Sequence, residues 1–384
     1  MVKEIGYRIF AFVYYICRLF TVNNLAGNKR FFCVMTHDDG ESSNVSLVIS
    51  RLKKTEPGYK FSYITKTEVG SVRGFKNVRN LLSFFLIKPY LLAKSNIILL
   101  DNVFLPMAYI KVKKNVKVVQ LWHGTGTIKK FGQDVNTGKL KELEKKANRN
   151  ITHLIVNNTS TAKLYAKVFG ISIDKVYATG LPKTDDILYR LWKSDKEGIN
   201  IDKEVIYKKY KLSRDKKLIL YAPTFRDENL GSETIINQVE KLSRLLPKDY
   251  ILGLRLHPFV ARLADTKDIK KICNLSREKD LSSLIMASDI LISDYSSIIF
   301  EYCITEKPMI FFAYDLEEFS NKGRGFYEDY ISYVPGPVAK SCEELIDIIN
   351  KKGYSIERIR KFNKENFPNL DGKATKRIVD LIKS

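Results

Sequence analysis

The sequence predicts an α/β protein made of two doubly wound, Rossmann-like domains. Short, continuously apolar runs recur along the 384 residues, as expected for parallel strands that are buried on both faces. Longer stretches with helical spacing separate these runs, which is the pattern of βαβ units. Apolar residues make up 45% of the chain, enough to build large cores, so a disordered basic tail protein is excluded.

The runs define the predicted elements in chain order. The strand candidates are 31–35, 97–100, 116–121, 154–156, 217–221, 251–256, 290–292 and 308–312. The helix candidates are 137–147, 160–169, 235–246 and 281–287. The polar region 193–215 contains no strand run and is interpreted as the join between two halves. We therefore expect an N-terminal segment at 1–27 and domains at 28–205 and 206–384, with ligands bound in a cleft at the carboxyl ends of the strands.

The charge of the chain predicts an anionic partner. With 65 Lys and Arg against 43 Asp and Glu, the formal net charge is +22, which suits nucleic acid, an anionic membrane surface or a phosphorylated substrate. The sequence contains no recognisable nucleic-acid-binding module, so nucleic acid is not expected. The five cysteines lack CxxC spacing and predict buried, reduced thiols. No cofactor is expected; a divalent metal is left open, with His37, Asp38 and Asp39 as a minor alternative site.

Two apolar segments flanked by basic residues are predicted to lie on a membrane surface. The uncharged run between Arg8 and Arg18 is too short for a span, which needs ~20 apolar residues, and no signal-peptide cleavage site follows it. The second segment, 73–94, contains Pro89, which kinks or ends a helix. An interfacial helix fits both segments, and the alternative is a core helix with snorkelling basic side chains. The residues expected at the membrane are Arg8, Arg18, Arg79, Phe84, Phe85 and Lys88.

The loop after the strand candidate 116–121 is the first that carries candidate chemistry. It reads QLWHGTGT at 120–127 and brings His123 to the end of a strand. Gly124 permits close backbone approach to a ligand, and Thr125 offers a hydroxyl donor. The spacing is not that of a P-loop. His37, after the first strand, is a weaker candidate that would line the acceptor side.

Three later loops follow the same pattern. YAPTFRD at 221–227 places an arginine after a strand, where it suits bidentate phosphate contacts; the alternative is a surface Arg–Asp pair. RLHP at 255–258 again ends a strand in a histidine. SDYSS at 293–297 opens a helix whose free N–H groups suit phosphate, with structural capping as the alternative. The candidate binding residues in these loops are Thr224, Arg226, Arg255, His257, Asp294, Ser296, Ser297 and, for ribose hydroxyls, Glu301.

Taken in order, these loops resemble the CDP-glycerol glycerophosphotransferase family, whose members include teichoic acid primases and polymerases. The matching motifs are LWHGT (121–125), TGLPKTD (179–185), YAPTFRD (221–227), RLHP (255–258), DILISDYSS (289–297), KPMIF (307–311), RGFYEDY (324–330) and PGP (335–337). The ordered set is specific, although no single motif is.

The resemblance implies a GT-B-like fold and a peripheral enzyme on the cytoplasmic face of the cell membrane. It implies CDP-glycerol as the donor, bound mainly by the C-terminal motifs, and an undecaprenyl-diphosphate-linked saccharide as the acceptor. It also implies that His123 and His257 are catalytic. The resemblance also implies that Lys183 and Asp185 of TGLPKTD bind substrate. Lys183 stands where the family usually has arginine; lysine keeps the positive charge but lacks the planar guanidinium that makes two parallel hydrogen bonds.

The predicted reaction is an in-line displacement at the β-phosphorus of CDP-glycerol, in which an acceptor hydroxyl attacks and CMP leaves. His123 is the candidate general base, His257 stabilises pyrophosphate charge, and Arg226, Arg255 and Lys183 are candidate cations. The length of the chain favours a primase that adds one unit. The alternatives are a polyglycerol- or polyribitol-phosphate polymerase and a nucleotide-sugar glycosyltransferase of the same fold; a scaffold without catalysis is disfavoured because both histidines are present.

Overall fold

A computed structural model describes residues 2–21, 29–73, 78–224, 226, 232–256 and 271–384. The chain forms two units. The first comprises Met1–His123, Phe131–Asp185 and Asn369–Ser384, and the second comprises Gly124–Lys130 and Asp186–Pro368. Each unit contains one parallel six-stranded sheet. The predicted α/β class with two doubly wound sheets is therefore confirmed.

The first unit contains a sheet with the strand order β2-β1-β3-β4-β5-β6. Its strands are β1 (Arg30–Met35), β2 (Lys60–Thr65), β3 (Ile97–Leu100), β4 (Lys117–Gln120), β5 (His153–Val156) and β6 (Val176–Ala178). Its helices are α1 (Val2–Phe20), α2 (Asn44–Thr55), α3 (Lys66–Arg73), α4 (Val78–Leu82), α5 (Lys88–Ala93), α6 (Gly138–Asn148) and α7 (Thr159–Phe169), with a π-helical turn at Ser83–Ile87. Helix α8 (Pro182–Glu197) starts in this unit and continues into the second.

The second unit contains a sheet with the order β12-β11-β10-β7-β8-β9. Its strands are β7 (Lys217–Ala222), β8 (Tyr250–Leu254), β9 (Ile272–Asn274), β10 (Ile290–Ser293), β11 (Met309–Phe312) and β12 (Val338–Ala339). Its further helices are α9 (Ile201–Lys209), α10 (Ser232–Leu245), α11 (Leu281–Ala287), α12 (Ile298–Tyr302), α13 (Leu316–Lys322), α14 (Tyr330–Tyr333), α15 (Cys342–Lys351) and α16 (Ile356–Asn366).

Both sheets reverse their winding direction near the middle. In the first, the chain runs from β1 outward to β2 and then returns to β3 on the other side of β1. In the second, it runs from β7 through β8 to β9 and returns to β10 on the other side of β7. Ligands of doubly wound sheets bind beside the carboxyl ends of strands at such a switch point. The loops after β1 and β3, and after β7 and β10, are therefore the places to look for a site.

The helices form where sequence signals predict them. Helix α7 begins after Asn158, whose side chain accepts a hydrogen bond from the N–H of Thr161 at 2.9 Å. It ends at Gly170, which takes the left-handed φ of 64° that glycine adopts without strain. The four predicted helices are all present, with ends that differ by a few residues.

The unit boundaries differ from the contiguous domains expected from the sequence. The chain leaves the first unit within α8, before the expected boundary at 205, because α8 and α9 pack in the second unit: Arg190 binds Asp280 at 2.9 Å, and Asn200 binds the carbonyl of Met286 at 2.9 Å. Helix α1 is part of the first unit because Phe10 and Tyr14 are buried there.

The C-terminal helix α17 (Ala374–Lys383) returns to the first unit. Ile378, Val379 and Ile382 are buried in the same hydrophobic core as strands β1 and β3. Asp185 accepts hydrogen bonds from the N–H groups of Ala374 at 3.1 Å and Thr375 at 2.7 Å, so it caps the start of this helix from outside. This is a correction for Asp185, which was expected to bind substrate.

Replacing Ile378 by alanine is expected to destabilise the first unit by about 2–5 kcal/mol, because the side chain is fully buried and its removal leaves a cavity. Thermal and denaturant unfolding of the full chain measure the change. Ile173→Ala is the matched control, since Ile173 is 50% exposed in the same unit and the change there should stay within about 0.5 kcal/mol. Equal effects of the two substitutions would contradict the placement of α17 in the core.

Candidate active site

His123 stands three residues after β4 on a strained turn. Trp122, just before it, has a positive φ of 56°, which is uncommon for a non-glycine residue. The indole is held by packing against Phe131 and Phe169, at ring distances of 5.6 and 5.0 Å. Strained backbone of this kind persists where the surrounding structure determines it and clusters at active sites.

Asp101 organises the loops at the switch point of the first sheet. It follows β3 and is buried, and its two carboxylate oxygens accept hydrogen bonds from the N–H groups of Thr36, His37 and Asp38 at 2.9–3.0 Å. Burial raises the pKa of Asp101, and the three N–H donors counteract this rise. The loop after β1 is therefore tied to the end of β3.

The backbone of Asp101 also selects the tautomer of His123. Nδ1 of His123 lies 3.0 Å from the carbonyl oxygen of Asp101. A carbonyl only accepts hydrogen bonds, so Nδ1 carries the proton in this contact and Nε2 is left as the basic nitrogen.

His123 is kept neutral by its surroundings. Its ring lies deep among neighbouring atoms, although the residue as a whole retains some exposure. Burial lowers the pKa of His123 well below 6.5, and the nearby His37 and Lys183 lower it further, while the contact with Asp101 offsets part of the change. A neutral imidazole near neutral pH is the form that a general base needs.

Lys183 is the second group that lowers the pKa of His123. Its ammonium is buried and binds the carboxylate of Asp38 at 3.0 Å. Burial raises the pKa of Asp38, but the ion pair with Lys183, together with the N–H of Gly40 and the nearby His37, holds this pKa below its usual value. Lys183 therefore makes one contact through its ammonium group, whereas an arginine could make two parallel hydrogen bonds with a carboxylate.

Asn44 links the two motifs that surround His123. Its side-chain amide donates to the carbonyls of Leu121 and Trp122, at 3.4 and 3.1 Å, and its oxygen accepts from the N–H of Lys183 at 3.1 Å. Asn44 and Asp101 were not among the residues predicted from the sequence. Asp101 directly follows a predicted strand, and this position could have identified it as a candidate site residue. No motif or spacing in the sequence indicated Asn44.

The loop after His123 belongs to the second unit. Thr125 is buried and donates a hydrogen bond to the carboxylate of Glu301 at 2.6 Å. Gly126 packs so closely against the ring of Phe300 that a Cβ atom added to this glycine would lie 2.6 Å from the ring. Lys129 pairs with Phe326 in a short antiparallel bridge. Thr125 and Glu301 therefore bind each other inside the protein, which corrects the expectation that they contact substrate.

Arg226 is likewise a buried structural residue. Its guanidinium binds Asp315 at 2.6 and 2.9 Å, Asp294 at 2.9 Å and the carbonyl of Thr224 at 2.7 Å. It also lies 4.9 Å from the centre of the Tyr295 ring. Burial disfavours the charged form of Arg226 and so lowers its pKa, but the carboxylates of Asp294 and Asp315 have the larger effect and raise this pKa.

The prediction that Arg226 and Asp294 contact substrate is therefore corrected. The side chains of both are 1% exposed. Asp294 also accepts hydrogen bonds from the N–H groups of Thr224 at 2.8 Å and Tyr295 at 2.5 Å. Because these partners occupy the donors of Arg226 and the acceptors of Asp294, the pair serves to hold the loops after β7 and β10 together.

Other predicted residues of the second unit lie near the switch point of its sheet. Thr224 follows β7, Ser296 and Ser297 follow β10, and Arg255 follows β8; the three strands are neighbours in the order β10-β7-β8. Ser296 and Ser297 are partly exposed, and Arg255 donates to the carbonyl of Glu278 at 2.7 Å. Oγ1 of Thr224 is buried without a hydrogen-bond partner in the described part of the chain. His257 lies outside the described residues.

Gly124 is buried at the start of the second unit's loop. Within the described ranges, no three His, Cys, Asp or Glu side chains converge in a way that could hold a metal ion. Asp38, one of the residues considered for a metal, is instead paired with Lys183.

Comparison with known proteins agrees with these motifs. A family model described as CDP-Glycerol:Poly(glycerophosphate) glycerophosphotransferase matches residues 16–384. The chain is 35% identical to the teichoic acid poly(ribitol-phosphate) polymerase of Bacillus spizizenii (strain ATCC 23059 / NRRL B-14472 / W23), with 99% of this chain and 60% of the relative covered. It is 30% identical to the teichoic acid glycerol-phosphate primase of Bacillus subtilis (strain 168), with 89% of each covered. The chain thus spans about three fifths of the polymerase.

Solved structures show the same fold. The wall teichoic acid polymerase TagF matches with a TM-score of 0.79 and 25% identity, over 100% of this chain and 95% of that chain. A UDP-GlcNAc 2-epimerase from Neisseria meningitidis matches with a TM-score of 0.59 and 14% identity, over 92% and 100%, and shows the fold alone. The GT-B-like fold class is confirmed. Because the family model covers nearly the whole chain, the protein belongs to the CDP-glycerol:poly(glycerophosphate) glycerophosphotransferase family.

Proposed function

We propose that this protein transfers a polyol phosphate, with glycerol phosphate as the first candidate, from its CDP-activated form to a hydroxyl of a lipid-linked saccharide. The observation that carries the proposal is His123 with Nδ1 bound to a carbonyl and Nε2 left basic. The acceptor hydroxyl gives its proton to Nε2, its oxygen forms a bond to the β-phosphorus, and the bond from that phosphorus to CMP breaks. The products are a phosphodiester and CMP.

The second unit is the proposed donor-binding unit. Three features support this assignment: the hydroxyl of Thr224 without a described partner and the partly exposed Ser296 and Ser297, which follow the two strands at the switch point, and the guanidinium of Arg255, which follows the next strand, β8. Hydroxyl and guanidinium donors suit the oxygens of a pyrophosphate. His257 is proposed to act on the same pyrophosphate.

Ribitol phosphate is the second candidate for the transferred group. It is favoured by the 35% identity, over 99% of this chain, to a poly(ribitol-phosphate) polymerase. The two candidates share the same chemistry at phosphorus and differ only in the polyol that the donor pocket accepts.

Release of CMP from CDP-glycerol and from CDP-ribitol tests the proposal, each with an undecaprenyl-diphosphate-linked disaccharide as acceptor. We expect release that depends on the acceptor, and the mass of the product then distinguishes one added unit from many. Absence of release from both donors, with folded protein and acceptors of both the primase and the polymerase type, would refute the proposal. Release from a nucleotide sugar instead would favour the glycosyltransferase alternative.

We also propose that the first unit binds the cytoplasmic face of the cell membrane, where its lipid-linked acceptor is found. No helix among the described residues is long and apolar enough to cross a membrane. Helix α1 buries Phe10 and Tyr14 on one side. Its opposite side exposes an apolar stripe made of Ile5, Ile9, Phe12, Ile16 and Leu19. The spacing of four and three residues puts these side chains on one face of the helix.

A second stripe lies on the elements that pack against α1. Phe84 of the π-helical turn contacts Phe10 at a ring distance of 5.3 Å. The outward-facing side chains of this stripe are Val78, Leu82, Leu86, Ile87 and Tyr90, each 40–71% exposed. Large exposed apolar surfaces of this kind mark interaction sites. With the net charge of +22, a bilayer surface that carries anionic lipids is the matching partner.

Three of the predicted membrane residues need correction. Phe84 and Phe85 are half-buried and pack toward α1, so the aliphatic side chains beside them face outward instead. The side chain of Lys88 is 12% exposed and binds Glu68 at 2.8 Å, because an ammonium that is turned inward needs a carboxylate. Arg8 and Arg79 are exposed, and Arg18 donates to the carbonyl of Lys111 at 2.6 Å.

Replacing Leu19 by glutamate is expected to weaken binding to vesicles of phosphatidylglycerol and phosphatidylethanolamine by about tenfold or more, since burying a leucine contributes about 1.5–3 kcal/mol. Leu19 is 81% exposed, so the fold tolerates the change. Co-sedimentation with vesicles measures the binding. Ile173→Glu, at an exposed position that belongs to neither stripe, is the control and should bind as the unmodified protein does; equal loss in both variants would contradict the proposed surface.

A further inference from the structure

His37 and His123 form a stacked pair of imidazoles. The ring centres are 3.6 Å apart and the ring planes differ by 8°. His37 is exposed and His123 is half-buried, and the parallel stacking places the ring of His37 over one face of the His123 ring. The centre of the Trp122 indole lies 4.0 Å from that of the His123 ring, and the two planes differ by 33°.

The position of His37 is determined by the same residue that orients His123. The carboxylate of Asp101 binds the N–H of His37 at 2.9 Å, and the carbonyl of Asp101 binds Nδ1 of His123 at 3.0 Å. The carbonyl of His37 also accepts a hydrogen bond from Nζ of Lys66 at 3.3 Å. One residue after β3 thus binds the backbone of His37 and the ring of His123.

We propose that His37 is a positioning residue for His123, whose stacked ring holds the imidazole of His123 in one plane and keeps water away from it. This inference rests on the proposed function only for its kinetic consequence; the coupling of the two rings is a property of the folded chain.

The charges around the pair favour the neutral form of His123. The charged groups near the two rings are Asp38, Asp101, Lys66 and Lys183. Lys183 is a cation that disfavours a second positive charge on His123, although its ion pair with Asp38 reduces this effect, and the carboxylate of Asp101 accepts hydrogen bonds from three N–H groups. A proton on His123 would be poorly solvated under the covering ring and would repel a protonated His37 at 3.6 Å.

Removal of the covering ring should therefore make protonation of His123 easier. A base must be neutral to accept a proton, so activity falls as the pH drops through the pKa of His123. This pKa is held low in the native protein, and any rise moves the acid side of the pH profile to higher pH.

The direct test is nuclear magnetic resonance of the full chain labelled at histidine Cε1. The sequence has only four histidines, so His123→Ala assigns the His123 signal. We expect His37→Ala to raise the pKa of His123 by about one unit, a tenfold change in its protonation constant. His37→Phe retains a flat ring that can stack, and we expect the pKa to stay near its native value. His153→Phe is the control, because His153 stacks on Tyr177 elsewhere in the unit.

The kinetic test uses the pH dependence of CMP release. His37→Ala should move the acid side of the profile by the same amount as the resonance and lower kcat, with KM for the CDP-activated donor unchanged. At pH values above the acid side of the profile, His37→Phe should keep kcat near the native value. Because the resonance needs no substrate, failure of the transfer assay leaves this inference testable.

Two results would overturn the inference. One is an unchanged titration of His123 in a folded His37→Ala variant. The other is equal damage from His37→Phe and His37→Ala, which would mean that the imidazole nitrogens of His37, rather than its stacked ring, are what the site requires.

Discussion

Substitution of His123 by alanine is expected to lower acceptor-dependent CMP release by about 10²–10⁴-fold, the usual contribution of a positioned general base. The structure supports this role because the Nδ1 contact with Asp101 leaves Nε2 basic and the surroundings keep the ring neutral. The loss should appear in kcat, because the acceptor proton moves only during the reaction. Steady-state CMP release at saturating donor measures it.

His153→Ala is the matched control for this prediction. His153 is the first residue of β5 in the same unit and packs on Tyr177, so it lies at the amino end of its strand, whereas the loops after β1 and β3 lie at the carboxyl ends of theirs. Its loss should leave kcat within about threefold of the native value, as expected for a change outside the site. A fall of less than about tenfold in His123→Ala would contradict the role of His123 as the base.

Substitution of Arg226 by alanine is expected to destabilise the second unit by about 3–5 kcal/mol, because it leaves the carboxylates of Asp294 and Asp315 buried without their counter-ion. The loops after β7 and β10 depend on this cluster, since Asp294 also binds the N–H of Thr224. Denaturant unfolding of the full chain, followed by circular dichroism, measures the change.

Two further variants separate structural from substrate-binding roles of Arg226. Arg360→Ala removes an arginine whose pair with Glu306 is largely exposed, and it should cost less than about 1 kcal/mol. Arg226→Lys retains the charge but not the planar guanidinium that binds two carboxylates. Its free energy of unfolding should therefore lie between those of the native protein and the alanine variant. A stable Arg226→Ala variant with weaker donor binding alone would restore the interpretation of Arg226 as a phosphate ligand.

The strands that were predicted from the sequence and those that were not differ in their position within the sheets. Every predicted strand is present, and each corresponds to an interior strand such as β3, whose four residues are all buried. The four missed strands, β2, β6, β9 and β12, are the outer strands of the two sheets. Outer strands are short or half-buried, as β6 and β9 show, so they lack the continuous apolar run on which the prediction depended.

The residues predicted for the candidate site also fall into two groups. The sequence pattern identified His123 and, after strands of the second unit, Thr224, Ser296 and Arg255. It did not distinguish residues that face a ligand from those that support the loops, and Arg226 shows why. An arginine after a strand suits both phosphate and buried carboxylates, and only the positions of Asp294 and Asp315 decide between them.

The sequence by itself determined the α/β class, the interior strands, the family and the loop that carries the candidate base, because each of these is written in local periodicity or in an ordered set of short motifs. Only the tertiary structure decided the residues that support that base. His37 and Asn44 follow β1, Asp101 follows β3 and Lys183 follows β6, and these three segments meet because the parallel strands bring their carboxyl ends to one edge of the sheet. Contacts between segments so distant in sequence leave no local pattern, which is why they were found only in the folded chain.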